Sequence, residues 1–408
     1  MNFKSRWMLV ILLALALAIP GFMLAQQRGS NSPFPGGANP DGSLRPDRRL
    51  SSLFTQDAYT EYALLDPSTQ SFRIRFLPEE TRVGATTLVN ATRAGSKGEN
   101  IEVYDPRTGK PVKFEYILGA NGSYAIHAQL PIPVPEGGVG RVLIYKTYLD
   151  ARSYTSYAEA NPDFGIQAGD ISWVRSLSGY RLGVILPKGY SFLSSNVAAQ
   201  ISTLPDGRLK VHFANPSGLS NPFTVHARKT TTQFAATAFT DMFFDDVKTL
   251  YDLDQPESHT LKVQQIYSNY QKGEKQKLEL LTYAPLQDLK VIDLDTAKPL
   301  ITSKEGNATV VKLEVPIVDD KQSAHLKLDG KLLDANYKVV NGTLTFDQTM
   351  KGLRNTVLLP AGWDVASVSQ SGIVGIYQGR VFVAFINLNA ENQYRVSITA
   401  RKKPFQGQ

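Results

Sequence analysis

The sequence predicts an all-β protein: a tandem duplication of immunoglobulin-like β-sandwich domains, two in each half, with a short helical or extended crossover between the halves. Three observations carry that expectation. Apolar residues recur with period 2 over most of the chain, as in half-buried strands. Turn dipeptides punctuate those runs at roughly the 8–12-residue spacing of sandwiches. One long module also occurs twice. Leu186 to Lys229 reads LPKGYSFLSSNVAAQISTLPDGRLKVHFANPSGLSNPFTVHARK, and Leu359 to Lys402 reads LPAGWDVASVSQSGIVGIYQGRVFVAFINLNAENQYRVSITARK. Both open on LPxG plus an aromatic, pass through GR, V, F and N, and close on ARK.

The chain begins with a basic n-region (Lys4, Arg6), an apolar run from Met8 to Ala18, Pro20-Gly21 and a small residue at Ala25. This is the pattern of a secretory signal peptide over residues 1–25, and the run is shorter than the ~20 residues a bilayer core requires. An exported protein is therefore expected. The chain has no cysteine. Extracellular eukaryotic proteins of this size usually carry disulfides, so a bacterial periplasm or cell exterior fits better. Residues 26–52 are rich in Gly, Pro, Ser, Asn and Arg and read as a flexible tether. The net charge of +7 falls to +5 without Lys4 and Arg6, a mild excess that lies in no clustered stripe. It favours contact with acidic envelope polymers over sequence-specific nucleic-acid binding, for which there is neither a basic stripe nor a known motif, and no nucleic-acid partner is expected.

The duplication extends upstream of the opening match. DAYTEYALLDPSTQSF from Asp57 lines up with DVKTLYDLDQPESHTL from Asp246, keeping the leading Asp, Tyr62 with Tyr251, Leu64 with Leu253 and Pro67 with Pro256. VYDPRTGKPV then matches VIDLDTAKPL, and Leu149-Asp150-Ala151 matches Leu333-Asp334-Ala335. The offset between copies shrinks from 189 residues at Asp57 and Asp246 to 172 at Gly207 and Gly379. The repeats are assigned to residues 53–230 and 242–403, with sub-domains at about 53–148, 149–230, 242–332 and 333–403. Each half is expected to own a core and to fold alone.

Asn341-Gly342 between two alternating runs is a strong hairpin signal, and Asn121-Gly122, Asp206-Gly207, Gly379 and Asp329-Gly330 repeat that logic. Val381, Val383 and Phe385, with their equivalents Leu209, Val211 and Phe213, are assigned to the core face. From Phe234 to Tyr251 the apolar residues (Phe234, Ala238, Phe239, Met242, Phe243, Val247, Leu250, Tyr251) are instead spaced as in a helix, which predicts a short helix or an ordered crossover.

The chemistry-bearing residues form no catalytic motif. The five histidines, His127, His212, His226, His259 and His325, fall in no metal-ligand spacing, and without cysteine there is no thiolate zinc site. GxSxG, GxxxxGK[ST] and GxGxxG are absent. The acidic pairs Glu79-Glu80, Asp245-Asp246, Asp319-Asp320, Asp252/Asp254 and Asp293/Asp295 read as solvated turns, since neighbours in sequence do not face each other across a cleft. Asp105 and Asp293 suit turn caps, and Asn215 and Asn387 suit strand ends in left-handed conformation. No cofactor, metal or catalytic residue is assigned. The candidate ligand-binding residues are Tyr190 and Trp363, which follow LPxG in the two copies. Each ring either plugs the end of its sandwich or offers a stacking face to envelope polysaccharide.

The tandem LPxG[YW]…GR…FxN modules resemble those of an uncharacterised group of secreted bacterial β-rich proteins, a resemblance that implies no activity. LPIPVPEGG followed by RVLIYKTY also resembles the first β domain of large secreted metallopeptidases, but the HExxH of those enzymes is missing here. Two function classes stand. One is a non-enzymatic envelope or extracellular binding or structural protein, its partner an envelope polysaccharide or another envelope protein. The other is a hydrolase of envelope glycan or peptide with carboxylates drawn from distant parts of the chain.

Overall fold

The computed structural model describes Asn39, residues 42–47 and residues 57–403, apart from 94–95, 120–121, 216–218, 238–240, 242, 271–274, 281–285 and 389–392. Residues 1–25, expected to be a signal peptide, most of the expected tether, and Asn121, Ala238, Phe239 and Met242 lie outside the described residues.

The first half contributes β1 (Ala58–Leu64), β2 (Ser71–Glu80), β3 (Thr87–Ala91), β4 (Gly98–Tyr104), β5 (Phe114–Leu118), β6 (Tyr124–Gln129), β7 (Gly140–Arg141) and β8 (Leu143–Leu149). It continues with β9 (Tyr154–Ser156), β10 (Ile171–Leu177), β11 (Arg181–Ile185), β12 (Tyr190–Ser195), β13 (Gln200–Thr203), β14 (Leu209–Ala214) and β15 (Asn221–Lys229). The second half contributes β16 (Asp246–Leu253), β17 (Thr260–Tyr270), β18 (Lys275–Leu280), β19 (Gln287–Asp293), β20 (Thr302–Glu305), β21 (Ala308–Ile317) and β22 (Ala324–Leu333). It ends with β23 (Lys338–Val340), β24 (Thr343–Lys351), β25 (Arg354–Leu358), β26 (Trp363–Val368), β27 (Ile373–Tyr377), β28 (Arg380–Ile386) and β29 (Gln393–Lys402). The protein is all-β: among the described residues the helical pieces are three single 3-10 turns.

Sheet order repeats strand for strand. The first half has a long sheet β13-β14-β11-β1-β2-β8-β4, a three-stranded sheet β3-β6-β5 and a four-stranded sheet β12-β15-β10-β9. The second has β27-β28-β25-β16-β17-β22-β19, β18-β21-β20 and β23-β24-β29-β26. Even the register of the central parallel pair is kept, Tyr59 opposite Arg181 in one copy and Lys248 opposite Arg354 in the other. In each half the two smaller sheets pack on opposite ends of one long sheet, forming separate cores. Trp173, Phe213, Phe223 and Tyr190 fill one core of the first half, and Leu88, Ile126 and Ile144 fill the other. The sub-domain boundary at Leu149 falls at the end of β8, and β1 lies beside β11, so the long sheet is continuous across both sub-domains.

Period-2 patterning placed the core strands: Val381, Val383 and Phe385 are buried in one cluster, and Leu209, Val211 and Phe213 in its counterpart. Asn341 and Gly342 both take positive φ, 50° and 75°, as a two-residue hairpin turn requires. Asp329-Gly330 is different and lies inside β22. Gly330 is there because a Cβ would sit 2.9 Å from Leu286 Cβ. Asn215 is not left-handed either; it is buried, and its amide donates to Leu219 O at 2.8 Å.

The expected helix at Phe234–Tyr251 is absent among the described residues, and the crossover takes the extended form instead. Phe243 and Phe244 occupy a turn and enter the core between the halves, whereas Val247 and Tyr251 point into two different cores from β16. The helical spacing thus reflects residues divided among several cores, Phe234 and Leu250 joining two more, with no single apolar face.

The segments that precede the two repeats are exchanged. Leu44 N–H donates to Val365 O at 2.8 Å and Asp47 N–H to Val374 O at 2.9 Å, so part of the predicted flexible tether is docked on the second half. Phe234 packs on the first half's core, and Thr237 N–H donates to Thr203 O at 2.9 Å. The first segment bridges β26 and β27, and the second lies along β13, an edge strand of the long sheet, where bare edges invite association. Phe234→Ala is expected to cost about 1–2 kcal/mol, less than a fully buried Phe, because the ring is half-buried. Urea denaturation checks this.

Candidate functional site

Two features meet at the centre of the molecule. The first is an ionic cluster made by the duplication. Asp57 and Asp246 occupy equivalent places at the start of β1 and β16, and Arg181 and Arg354 equivalent places on β11 and β25. Arg354 Nη2 lies 2.5 Å from Oδ2 of both aspartates. Arg181 Nη2 lies 3.4 Å from Asp57 Oδ2, and its Nε 3.8 Å from Asp246 Oδ2. All four side chains are buried. Burial pushes the Asp57 carboxyl up, but Arg181 and Arg354 overcome it and hold it well below the usual carboxylate range. A second bridge between the halves is the bidentate pair of Arg141 with Asp295, at 2.7 and 2.6 Å. His325 lies 3.3 Å from Glu79 Oε1 beside it. Glu79, Glu80, Asp246, Asp293 and Asp295 are therefore buried and not on solvated turns. The offset sequence positions converge because the two halves face each other.

The second feature is a cleft of about 480 Å³ in the first half. Its floor is the long sheet where neither smaller sheet covers it: Thr60 and Tyr62 of β1, Ile74 and Phe76 of β2, Lys146 and Tyr148 of β8. One wall is β3, from Leu88 to Ala91, and the other is the end of β10 with the segment to Tyr180. Asp57, Glu79 and Glu80 close the end nearest the ionic cluster.

Lys146 is 4% exposed, and its ammonium donates only to Asn90 Oδ1 of β3. No carboxylate stands within ion-pair distance of it among the described residues. Arg175, also buried, donates to Asp150 Oδ2 at 3.2 Å and lies 5.2 to 5.9 Å over the rings of Tyr62, Phe72 and Tyr148. Its Nε has no hydrogen-bond partner. Burial, with Arg175 adding to it, pushes the Lys146 amine down to about 7.

The second half lacks this arrangement. Strand register sets Lys146 and Tyr148 against Gly330 and Leu332, and Arg175 against Gln348. Gly330 is where Leu286 packs, bridging the two cores of that half. What the copies share specifies the fold, and what differs is the buried pair Lys146 and Arg175, whose places are taken by Gly330 and Gln348 in the other copy.

Below about pH 7 Lys146 is charged in both states and its burial is a full cost. Between about 7 and the ordinary value of 10.5 the unfolded chain holds a proton the folded protein has released, so stability rises with pH. Lys146→Met is expected to stabilise the protein by about 1–3 kcal/mol at pH 6 and to have little effect near pH 10.5. Urea midpoints of both proteins across that range check it. The difference isolates Lys146 from Lys248, a half-buried amine that desolvation holds down at about 8.

Tyr190 and Trp363 are 8% and 3% exposed and belong to the sandwich cores. Tyr190 donates its hydroxyl to Gly169 O at 3.1 Å. Both rings plug sandwich ends, and neither turns a face to solvent. The five histidines remain apart, and no cluster of three metal-ligating side chains forms among the described residues.

Sequence reading missed Arg181 and Arg354, although each stands five residues before LPxG; extending the match upstream to RxxVxLPxG finds both. Lys146 and Arg175 carry no such signal. Each is defined by its contrast with the other copy, at positions that only strand register aligns.

Fold and site together define a duplicated β-sandwich protein with a cationic cleft in its first half. No known family model matches the sequence, and no curated protein matches it. Among solved structures, the M1 zinc metallopeptidase from Deinococcus radiodurans is similar at 14% identity and a TM-score of 0.28, over 44% of this chain and 43% of that one. The chain thus spans less than half of that enzyme's length. A protein described as a putative protease from Parabacteroides distasonis is similar at 10% identity and a TM-score of 0.23, over 86% of this chain and 93% of that one. Neither likeness is close enough to bear on activity.

Proposed function

We propose that the protein is an exported bacterial binding protein without enzymatic activity, which holds an extended anionic ligand of the cell envelope in the first-half cleft. The observation that carries this is Lys146. A buried ammonium without a counter-ion is costly, and this one lines an open cleft beside Arg175, whose Nε has no hydrogen-bond partner. Both costs are relieved when an anion enters. The second half, where an apolar residue fills the equivalent place, supplies a rigid partner for the first.

The test is binding of the purified mature protein to a panel of carboxylated oligosaccharides and acidic oligopeptides. Lys146→Met is expected to abolish binding, and Lys331→Met in the second half to leave it intact. Binding that survives Lys146→Met would remove the cleft from consideration.

A hydrolase reading has one observation in its favour. Glu79 lines the cleft, and burial raises its carboxyl above the usual range despite His325 beside it, as suits a general acid. Turnover of a panel member that is lost in Glu79→Gln would establish it.

A further inference from the structure

The walls of the cleft say more about the ligand than its charge does. β3 is a terminal strand of its sheet, paired with β6 on one side and with no strand on the other among the described residues. Leu88, Val89, Asn90 and Ala91 line the cleft consecutively. Side chains of a strand alternate between faces, so four consecutive lining residues mean that the strand's free edge, with its N–H and C=O groups, borders the space. Sheet edges of this kind pair with added strands.

Asn90, in that edge, is the residue to which Lys146 donates. On a strand added beside β3, the residue opposite Asn90 would project its side chain on the same side, within about 5 Å of it. That places it beside the Lys146 ammonium. Arg175 stands across the cleft at the other wall.

We infer that the cleft receives an extended polypeptide segment, added as a strand to the free edge of β3, with a Glu or Asp side chain opposite Asn90 and against Lys146. This rests on the cleft reading above and names its ligand class. A carbohydrate would satisfy the ammonium equally well, but it has no regular series of N–H and C=O groups to match a strand edge. β3 has five residues, so the segment it pairs is about as long.

The experiment uses fluorescein-labelled Thr-Val-Glu-Val-Thr, acetylated and amidated so that Glu carries its one carboxylate, with fluorescence anisotropy of the full mature chain as readout. The peptide is expected to bind, and to weaken about tenfold or more when Glu becomes Gln. Methylation of the two valine backbone nitrogens is expected to weaken it at least as much. In Lys146→Met the Glu and Gln peptides are expected to bind alike. If the N-methylated peptide binds as well as its parent, strand addition is wrong. If tri-galacturonate binds in a Lys146-dependent way and the peptide does not, the cleft reading stands and the polypeptide inference falls. If neither probe binds, or Lys146→Met changes nothing, both are overturned. The N-methyl comparison needs no protein variant and is independent of how Lys146→Met folds.

Discussion

Replacing Asp246 with alanine is expected to destabilise the protein by about 3–5 kcal/mol, the cost of leaving buried charge unpaired. Its carboxylate is fully buried and accepts from Arg354 Nε at 2.8 Å. Without it, Arg354 and Arg181 keep Asp57 as their shared carboxylate, with Arg181 also donating to Phe243 O and Phe244 O, and two guanidiniums share one negative charge away from water. Exposed Asp320→Ala should stay within about 0.5 kcal/mol. The cluster also bears on whether each half folds alone, as the sequence suggests. Each half has cores of its own, but the isolated first half would present Asp57 and Arg181 without Arg354 and Asp246. Trp173 and Trp363 sit in cores of opposite halves and report on each separately. In Asp246→Ala their urea transitions are expected to shift together. A shift of the Trp363 signal alone would show that the halves unfold independently.

Phe385→Ala is expected to cost about 3–5 kcal/mol, and Ala384→Ser little. Phe385 is 1% exposed among Val381, Val383 and Tyr394, where truncation leaves a cavity that a rigid sandwich cannot close. Ala384 points to the other face of β28, where it is partly buried. Chemical denaturation of the two variants checks both values, and equal small effects would mean that the strand phase is inverted.

The fold was legible because its signals are local. Period-2 runs identify β14 and β28, Asn341-Gly342 marks a turn from its own conformational preferences, and the two copies give the same landmarks in the same order. The stretch around Phe243 was misleading because spacing along the chain does not say which core each residue enters. Acidic pairs such as Asp293/Asp295 read as solvated because what buries them, Arg141 of the other half, is 154 residues away. The cleft was not legible at all. Lys146 lies on a strand whose pattern is ordinary, and its lack of a counter-ion depends on β3, β8 and β10 meeting in space. Tyr190 and Trp363 drew attention because both copies keep an aromatic there, but shared residues mark the common architecture. The candidate site lies where the copies differ.

Amide hydrogen exchange of residues 26–408, with and without saturating acetyl-Thr-Val-Glu-Val-Thr-amide, decides whether a strand is added in the cleft. Slowed exchange is expected at residues 87–91 of β3 and residues 174–180 of the opposite wall, with none at residues 275–280 of the equivalent strand in the second half. Protection in the second half, or none at residues 87–91, would contradict it.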